Sequence, residues 1–191
     1  MHSLLDLADV SRLREALVSA DFTEAGTSAR LGEDAAVAAG RGDFRAALAA
    51  TSDSDAQATL IRLFVCGVVE PADAVARALA PLPIEAAQRS GLVLGDAEGY
   101  RAGVALEIYG DHWLLSDLPA APGCGLDAEH VLGVGSAAAT LAGAVMRDDV
   151  DSALDLGAGS GIQALHLSRH ARRVAVSDVS PRAMRFAAAN A

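Results

Sequence analysis

The 191-residue sequence contains no lysine: all fifteen positive charges are arginines, set against 25 aspartates and glutamates for a formal net charge of −10. With so much alanine beside it, this reads as a bias toward GC-rich codons rather than as a functional signal. Positive charge is scarcest in the first part. Residues 1–120 carry nine arginines against eighteen acids, whereas residues 121–191 carry six against seven. A clamp on a phosphate backbone needs the opposite balance, so strong nucleic-acid binding by the front part alone is excluded. Cysteine is nearly absent too. Cys66 and Cys124 lie far apart, fit no Cys-x-x-Cys spacing, and each reads as a buried structural thiol, with neither a disulfide framework nor a zinc site indicated. Long apolar runs are missing: the longest weakly polar stretch, Val131 to Met146, is too short for a bilayer span. The start, Met1-His2-Ser3-Leu4-Leu5-Asp6, has no basic n-region, so no signal peptide and no membrane partner are expected, and the expected location is cytoplasmic.

What is present is apolar: 52% of residues are hydrophobic, which excludes a disordered chain. From Asp9 to about Ala80 the pattern is helical. Leu13, Ala16, Leu17 and Ala20 form one helix face, a second helical piece ends near Gly32, and Asp43–Ala50 and Ala56–Cys66 follow, with Leu60, Leu63 and Phe64 in the core. Pro71 suits the first turn of a helix running to about Leu79. Ser52-Asp53-Ser54-Asp55 lacks the order of a calcium loop and reads as a helix N-cap. After Pro83 come a short helix to Arg89, then Gly91–Leu94, Tyr100–Tyr109 and His112–Leu115, with Val104, Leu106 and Ile108 alternating as in a half-buried strand. Helices followed by a small hairpin suggest a winged-helix-like unit. Pro119 to Gly123 breaks the pattern and marks a domain boundary.

Beyond it, Val131–Met146 reads as a glycine-bearing loop and a small-residue helix. Ser152–Leu156 is a strand, Ile162–His170 a helix, Val174–Asp178 a strand, and Ser180 caps a last helix with Pro181 at its first position. Strand, helix, strand at this spacing is a parallel βαβ unit. At its first junction stands Asp155-Leu156-Gly157-Ala158-Gly159-Ser160-Gly161. Three alternating glycines let the backbone turn tightly and approach a ligand closely. Asp155 is placed to orient the loop and a ligand's amino group, and Asp178, ending the second strand, to accept both hydroxyls of a ribose. The dinucleotide fingerprint requires glycine where Ile162 stands and no acid where Asp155 stands. Both departures favour S-adenosylmethionine over NAD. His166 and His170, spaced i and i+4 with no third ligand, read as surface histidines rather than a metal site. Arg172-Arg173 read as a helix end, Trp113 as core or interdomain packing, and Glu33-Asp34 and Asp148-Asp149 as solvated turns.

Ala153–Gly161 resembles motif I of class I S-adenosylmethionine-dependent methyltransferases, and Ser177–Met184 with Ala189-Asn190-Ala191 is similar to the next segment of the methyltransferase small-domain group. That group includes the HemK/PrmC release-factor glutamine methyltransferases and the ribosomal RNA guanine-N2 and adenine-N6 methyltransferases. The resemblance implies an α/β chain in two parts. A mainly helical, winged-helix-like domain over residues 1–120 precedes the first βαβ part of a Rossmann-like methyltransferase domain over 121–191. It implies S-adenosyl-L-methionine as cofactor, with Gly157, Gly159 and Gly161 shaping the loop under the methionine moiety and Ala158 and Ser160 lending backbone contacts. Asp178 would hold the ribose, Val179 would lie against the adenine, and Thr140 would correspond to a cofactor-contacting threonine, although the Pro-Glu-Thr-Glu wording around it is absent. The implied activity is methyl transfer to nitrogen of a macromolecular acceptor: a protein glutamine, as in a release factor, or a ribosomal or transfer RNA base. The acidic front part tilts this toward a protein or protein–RNA target. The group's Asn-Pro-Pro-aromatic signature is missing, and no Asn-Pro or Pro-Pro pair occurs. The expectation is therefore a piece of a longer enzyme, inactive alone, that supplies the cofactor half-site and no catalytic residue. A non-catalytic nucleoside-binding or protein-interaction module is the alternative. An NAD(P)-dependent oxidoreductase, disfavoured by Ile162 and by the lack of a Tyr-x-x-x-Lys motif, is the third.

Overall fold

The computed structural model describes residues 4–119, 125 and 127–191; Cys124 and the Pro119–Gly123 boundary beyond Pro119 lie outside them. Helix α1 (Leu7–Ser19) is capped by Asp6, whose carboxylate accepts the Asp9 N–H at 2.8 Å. Leu13, Ala16, Leu17 and Ala20 are all buried, as their spacing predicts. After a turn through Phe22, Thr23 caps α2 (Glu24–Gly40), whose first helical piece ends at Gly32 as expected: φ of 72° and ψ of 164° there are non-helical. A second piece, over the helix-forming run from Glu33 to Ala39, follows across this kink. Glu33-Asp34 therefore lie on an exposed helix face, not in a turn.

Helices α3 (Arg45–Ala50) and α4 (Ala56–Leu60) follow, α4 continuing into one π-helical turn, Ile61–Val65. Asp55 caps α4 by accepting the Ala58 N–H at 2.8 Å, and Asp53 and Asp55 both pair with Arg30, as a cap rather than a calcium loop requires. Strand β1 (Glu70–Pro71) leads into α5 (Ala72–Ala78), then α6 (Ile84–Ser90), β2 (Val93–Gly95) and β3 (Gly99–Ala102). These strands form an antiparallel sheet in the order β1-β3-β2. Buried Glu70 anchors β1 through two 2.7 Å bonds from Arg62.

The stretch Tyr100–Leu115 is not one wing but belongs to two sheets. The chain turns at Gly103, where a Cβ would stand 2.1 Å from the Gly91 carbonyl oxygen. It then forms a separate hairpin of β4 (Ala105–Tyr109) and β5 (His112–Ser116). Trp113 of β5 packs as expected, its indole N–H donating to the Phe22 carbonyl at 2.6 Å.

Helix α7 (Ser136–Ala144) precedes the parallel pair β6 (Ala153–Leu156) and β7 (Val174–Ser177), registered Asp155 opposite Val176 and joined through α8 (Ile162–Leu167). α8 stops three residues short of the expected His170, so Arg172-Arg173 lie beyond a turn and not at the helix end; Arg172 pairs with Asp151. α8 covers one face of the pair. Leu154 and Leu156 stand on the other, 61% and 78% exposed. Helix α9 (Pro181–Asn190), capped by Ser180, folds back onto the β4–β5 hairpin. Its Ala183, Phe186 and Ala189 share one core with Leu17, Leu63, Leu79 and Leu115. Arg182 fixes this docking by chelating Asp117, with its guanidinium carbon 5.3 Å from the Phe186 ring centre. The whole is a mixed α/β structure with small sheets. Among the described residues no helix is long and apolar enough to cross a membrane.

Candidate functional site

The carboxyl ends of β6 and β7 bring the glycine loop and both acids together. That end of a parallel pair is where open α/β sheets bind ligands. Asp155, buried, ties the end of β6 to the first turn of α8: its Oδ2 accepts the Ala164 N–H at 3.0 Å. Burial pushes its carboxyl above the ordinary range, the Ala164 N–H pulls the other way, and the nearby Asp178 charge adds to the rise.

The loop is built by left-handed glycines, with φ of 73° at Gly157, 54° at Gly159 and 86° at Gly161. Their roles differ. A Cβ on Gly161 would meet the Cα and Cβ of Ala187 at 3.2 Å, so this glycine lets α9 approach. A Cβ on Gly157 or Gly159 would point into open space, leaving room for a ligand against bare backbone. The N–H groups of Gly157 and Ala158 donate to the Ser177 carbonyl at 2.7 and 3.1 Å, extending the strand pairing into the loop.

Asp178, half-buried, accepts the Gly159 N–H on Oδ2 at 2.9 Å and the Ser180 N–H on Oδ1 at 2.8 Å. It thus braces the loop as well as marking the strand end. Two of a carboxylate's roughly four acceptor positions are used, so capacity for hydroxyl donors remains. Val179 beside it is fully exposed, an apolar side chain held at the site's rim with nothing packed on it.

Ala158 and Ser160 are buried. The Ser160 carbonyl is taken by Asn190, to which sequence reasoning gave no role at the site: its Nδ2 donates at 2.8 Å. Nδ2 of Asn190 also donates to the Leu115 carbonyl, and its Oδ1 accepts the Leu115 N–H, both at 2.9 Å. One side chain therefore stitches the loop to β5. Its sequence signals were its place in the Ala189-Asn190-Ala191 stretch and its being the chain's sole asparagine. Thr140 is not brought to the site by any observed bond; it is exposed on α7 and its hydroxyl donates to the Ser136 carbonyl of its own helix at 2.8 Å.

His166 and His170 are half-buried and not surface residues. His166 Nε2 lies 3.2 Å from the Tyr109 hydroxyl, and the two rings meet edge-on at 5.6 Å. Among the described residues no group of three or more His, Cys, Asp or Glu side chains converges as a metal site. Cys66 is a buried free thiol whose ionisation burial disfavours.

The strand ends thus present spare acceptor positions at Asp178, exposed apolar side chains at Val179 and Leu156, and bare backbone at Gly157 and Gly159. Residues 19–103 match the family described as Domain of unknown function (DUF7059), a stretch running from the end of α1 through β3 and leaving the glycine loop outside it. Among curated proteins none matches the chain.

Proposed function

We propose that this chain carries the cofactor half of an S-adenosylmethionine-dependent N-methyltransferase. The observation that carries the reading is the open loop face at Gly157 and Gly159, flanked by Asp178 and a fully exposed Val179 at the carboxyl ends of two parallel strands. The cofactor supplies an activated methyl group on a sulfonium. Direct transfer from a sulfonium makes position, not acid–base chemistry, the protein's main task. Asp178 accepts the ribose hydroxyls while continuing to brace Gly159, Val179 and Leu156 cover the adenine, and Gly157 and Gly159 let the methionine part approach the backbone. Asp155 holds the loop on α8 from beneath. Buried Ile162, where a dinucleotide fold needs glycine for close packing, tells against NAD.

On this reading β6, α8 and β7 open a Rossmann-like domain over residues 121–191. The order helix, β1, α5, α6, β2, β3, with β3 central, supports reading residues 56–102 as a winged-helix-like unit within a front domain over 1–120. The acceptor is a macromolecule, and the acidic front part favours a protein or protein–RNA surface over naked RNA.

The test is a nuclear magnetic resonance titration with S-adenosylhomocysteine. Amide shifts concentrated at Gly157–Gly161 and at Asp178–Val179 are expected. Shifts elsewhere, or none in the folded chain, would overturn the assignment.

A further inference from the structure

Along α8, between it and α7, lies a cavity of about 190 Å³, lined by Arg147, Asp149, Gln163, His166, Arg169 and His170 among others. It opens beside a broader cleft of about 600 Å³ that shares Asp149, Arg169 and His170 and continues to the paired Asp151 and Arg172. In a chain of net charge −10, two arginines and two histidines on so small a lining against one carboxylate is a local reversal of sign. Among the described residues neither arginine is in an ion pair, whereas seven other arginines are.

The cationic side chains press on one another. Burial, then the charges of Arg169, Arg147 and His112, hold the His166 imidazole below its ordinary value. Arg169 Nη2 lies 3.2 Å from His112 Nε2. The groups facing His166 are thus Tyr109 and His112 from the hairpin and Arg147, Asp149, Arg169 and His170 around the cavity. The end of α8 does not oppose an anion here, because its last carbonyls at Ala164, His166 and Leu167 already accept the N–H groups of Ser168, Arg169, His170 and Ala171.

Gln163 adds a second, independent feature. Its Nε2 donates to the Ala138 carbonyl at 2.7 Å, but its Oε1 is buried with no partner. Among the described residues this acceptor is unpaired, which costs free energy that a ligand with a donor restores. The cavity is smaller than the roughly 300–1,000 Å³ of ordinary ligand pockets, which suits a tetrahedral anion and excludes a whole nucleotide.

We propose that this cavity is a binding site for a protonated phosphate group, held by Arg147 and Arg169 with the histidines, and donating its own hydroxyl to Gln163 or Asp149. Inorganic phosphate and a terminal phosphate monoester share this chemistry; sulfate and a phosphodiester carry the charge but lack the hydroxyl. The site stands apart from the cofactor half-site and does not depend on the methyltransferase reading.

The test is calorimetric titration of the full chain at a pH of about 6, where a monoester still keeps its proton on about half of its population. The probes are inorganic phosphate, methyl phosphate, dimethyl phosphate and sulfate. Phosphate or methyl phosphate should bind at least about tenfold more tightly than the other two, the stronger of them identifying a free or an esterified ligand. Arg169→Gln and Arg147→Gln, both at exposed positions, should each weaken binding about tenfold or more without changing the melting curve. Phosphate should also move the His166 ring titration upward in the parent chain and not in Arg169→Gln. Equal binding of sulfate or dimethyl phosphate, no binding of any probe, or full binding by the two arginine variants would overturn the proposal.

Discussion

Replacing Asp178 by alanine tests the double duty given to this carboxylate. In the unliganded chain its two oxygens accept one backbone N–H each, from Gly159 at 2.9 Å and Ser180 at 2.8 Å. Hydrogen bonds to an ionised acceptor contribute about 1.5–3 kcal/mol each. Because the group is only half-buried, the lower end applies, and Asp178→Ala should cost about 3 kcal/mol. For a chain of this size that lowers the melting temperature by about 6–12 °C. The assay is urea or thermal unfolding followed by circular dichroism, with S-adenosylhomocysteine binding measured below the transition. Destabilisation together with loss of binding is expected. Asp178→Asn keeps one good acceptor and should fall between. An alanine variant as stable as the parent would refute the bracing role, and one that binds the nucleoside unimpaired would refute the ribose role.

Other substitutions separate packing from binding in the same loop. Gly161→Ala forces a side chain into a φ of 86° and against Ala187, and should cost about 1–2 kcal/mol in an unfolding experiment. Gly159→Ala meets nothing in the unliganded chain and should cost only about 1 kcal/mol, yet weaken S-adenosylhomocysteine about tenfold or more by occupying the ligand's space. Asn190→Ala leaves the Leu115 N–H and the Leu115 and Ser160 carbonyls unpaired and should cost about 2–3 kcal/mol, with faster amide exchange at both β5 and the loop. Asp155→Asn keeps an acceptor for Ala164 and removes a charge that burial disfavours. Because the folded carboxyl titrates above its unfolded value, the parent gains stability as pH falls through that raised value toward 3.8. The variant should therefore be at least as stable as the parent at neutral pH, with its advantage vanishing in acid, as pH-dependent melts will show.

Much of the local structure was legible in the residues because single side chains dictate it. Asp55 and Ser180 cap helices where they should, Pro181 opens α9, and the apolar stripe of α1 faces the core. The parallel pairing of β6 with β7 follows from two short apolar runs with a helix between them. Where the reading failed, a longer-range fact decided. Nothing local in Tyr100–Tyr109 shows that Gly103 must pass against Gly91, which splits the stretch between two sheets. At the site, the glycines and both acids were visible from spacing, and the structure gathers them. Thr140 was carried by resemblance alone and is not gathered by any bond. The bracing role of Asn190 was not legible because its partners, Leu115 and Ser160, lie 75 and 30 residues away in sequence. Likewise, the pairing of His166 with Tyr109 exists only once the hairpin packs on α8.

The central claim is that the loop and strand ends around Asp178 hold S-adenosylmethionine. Its most direct test is calorimetric titration of the chain with S-adenosylhomocysteine, with NAD in parallel. The account predicts one-to-one binding of S-adenosylhomocysteine, absence of binding by NAD, and loss of the signal in Asp178→Ala. Preference for NAD, or silence from both ligands in a chain that melts cooperatively, would contradict it.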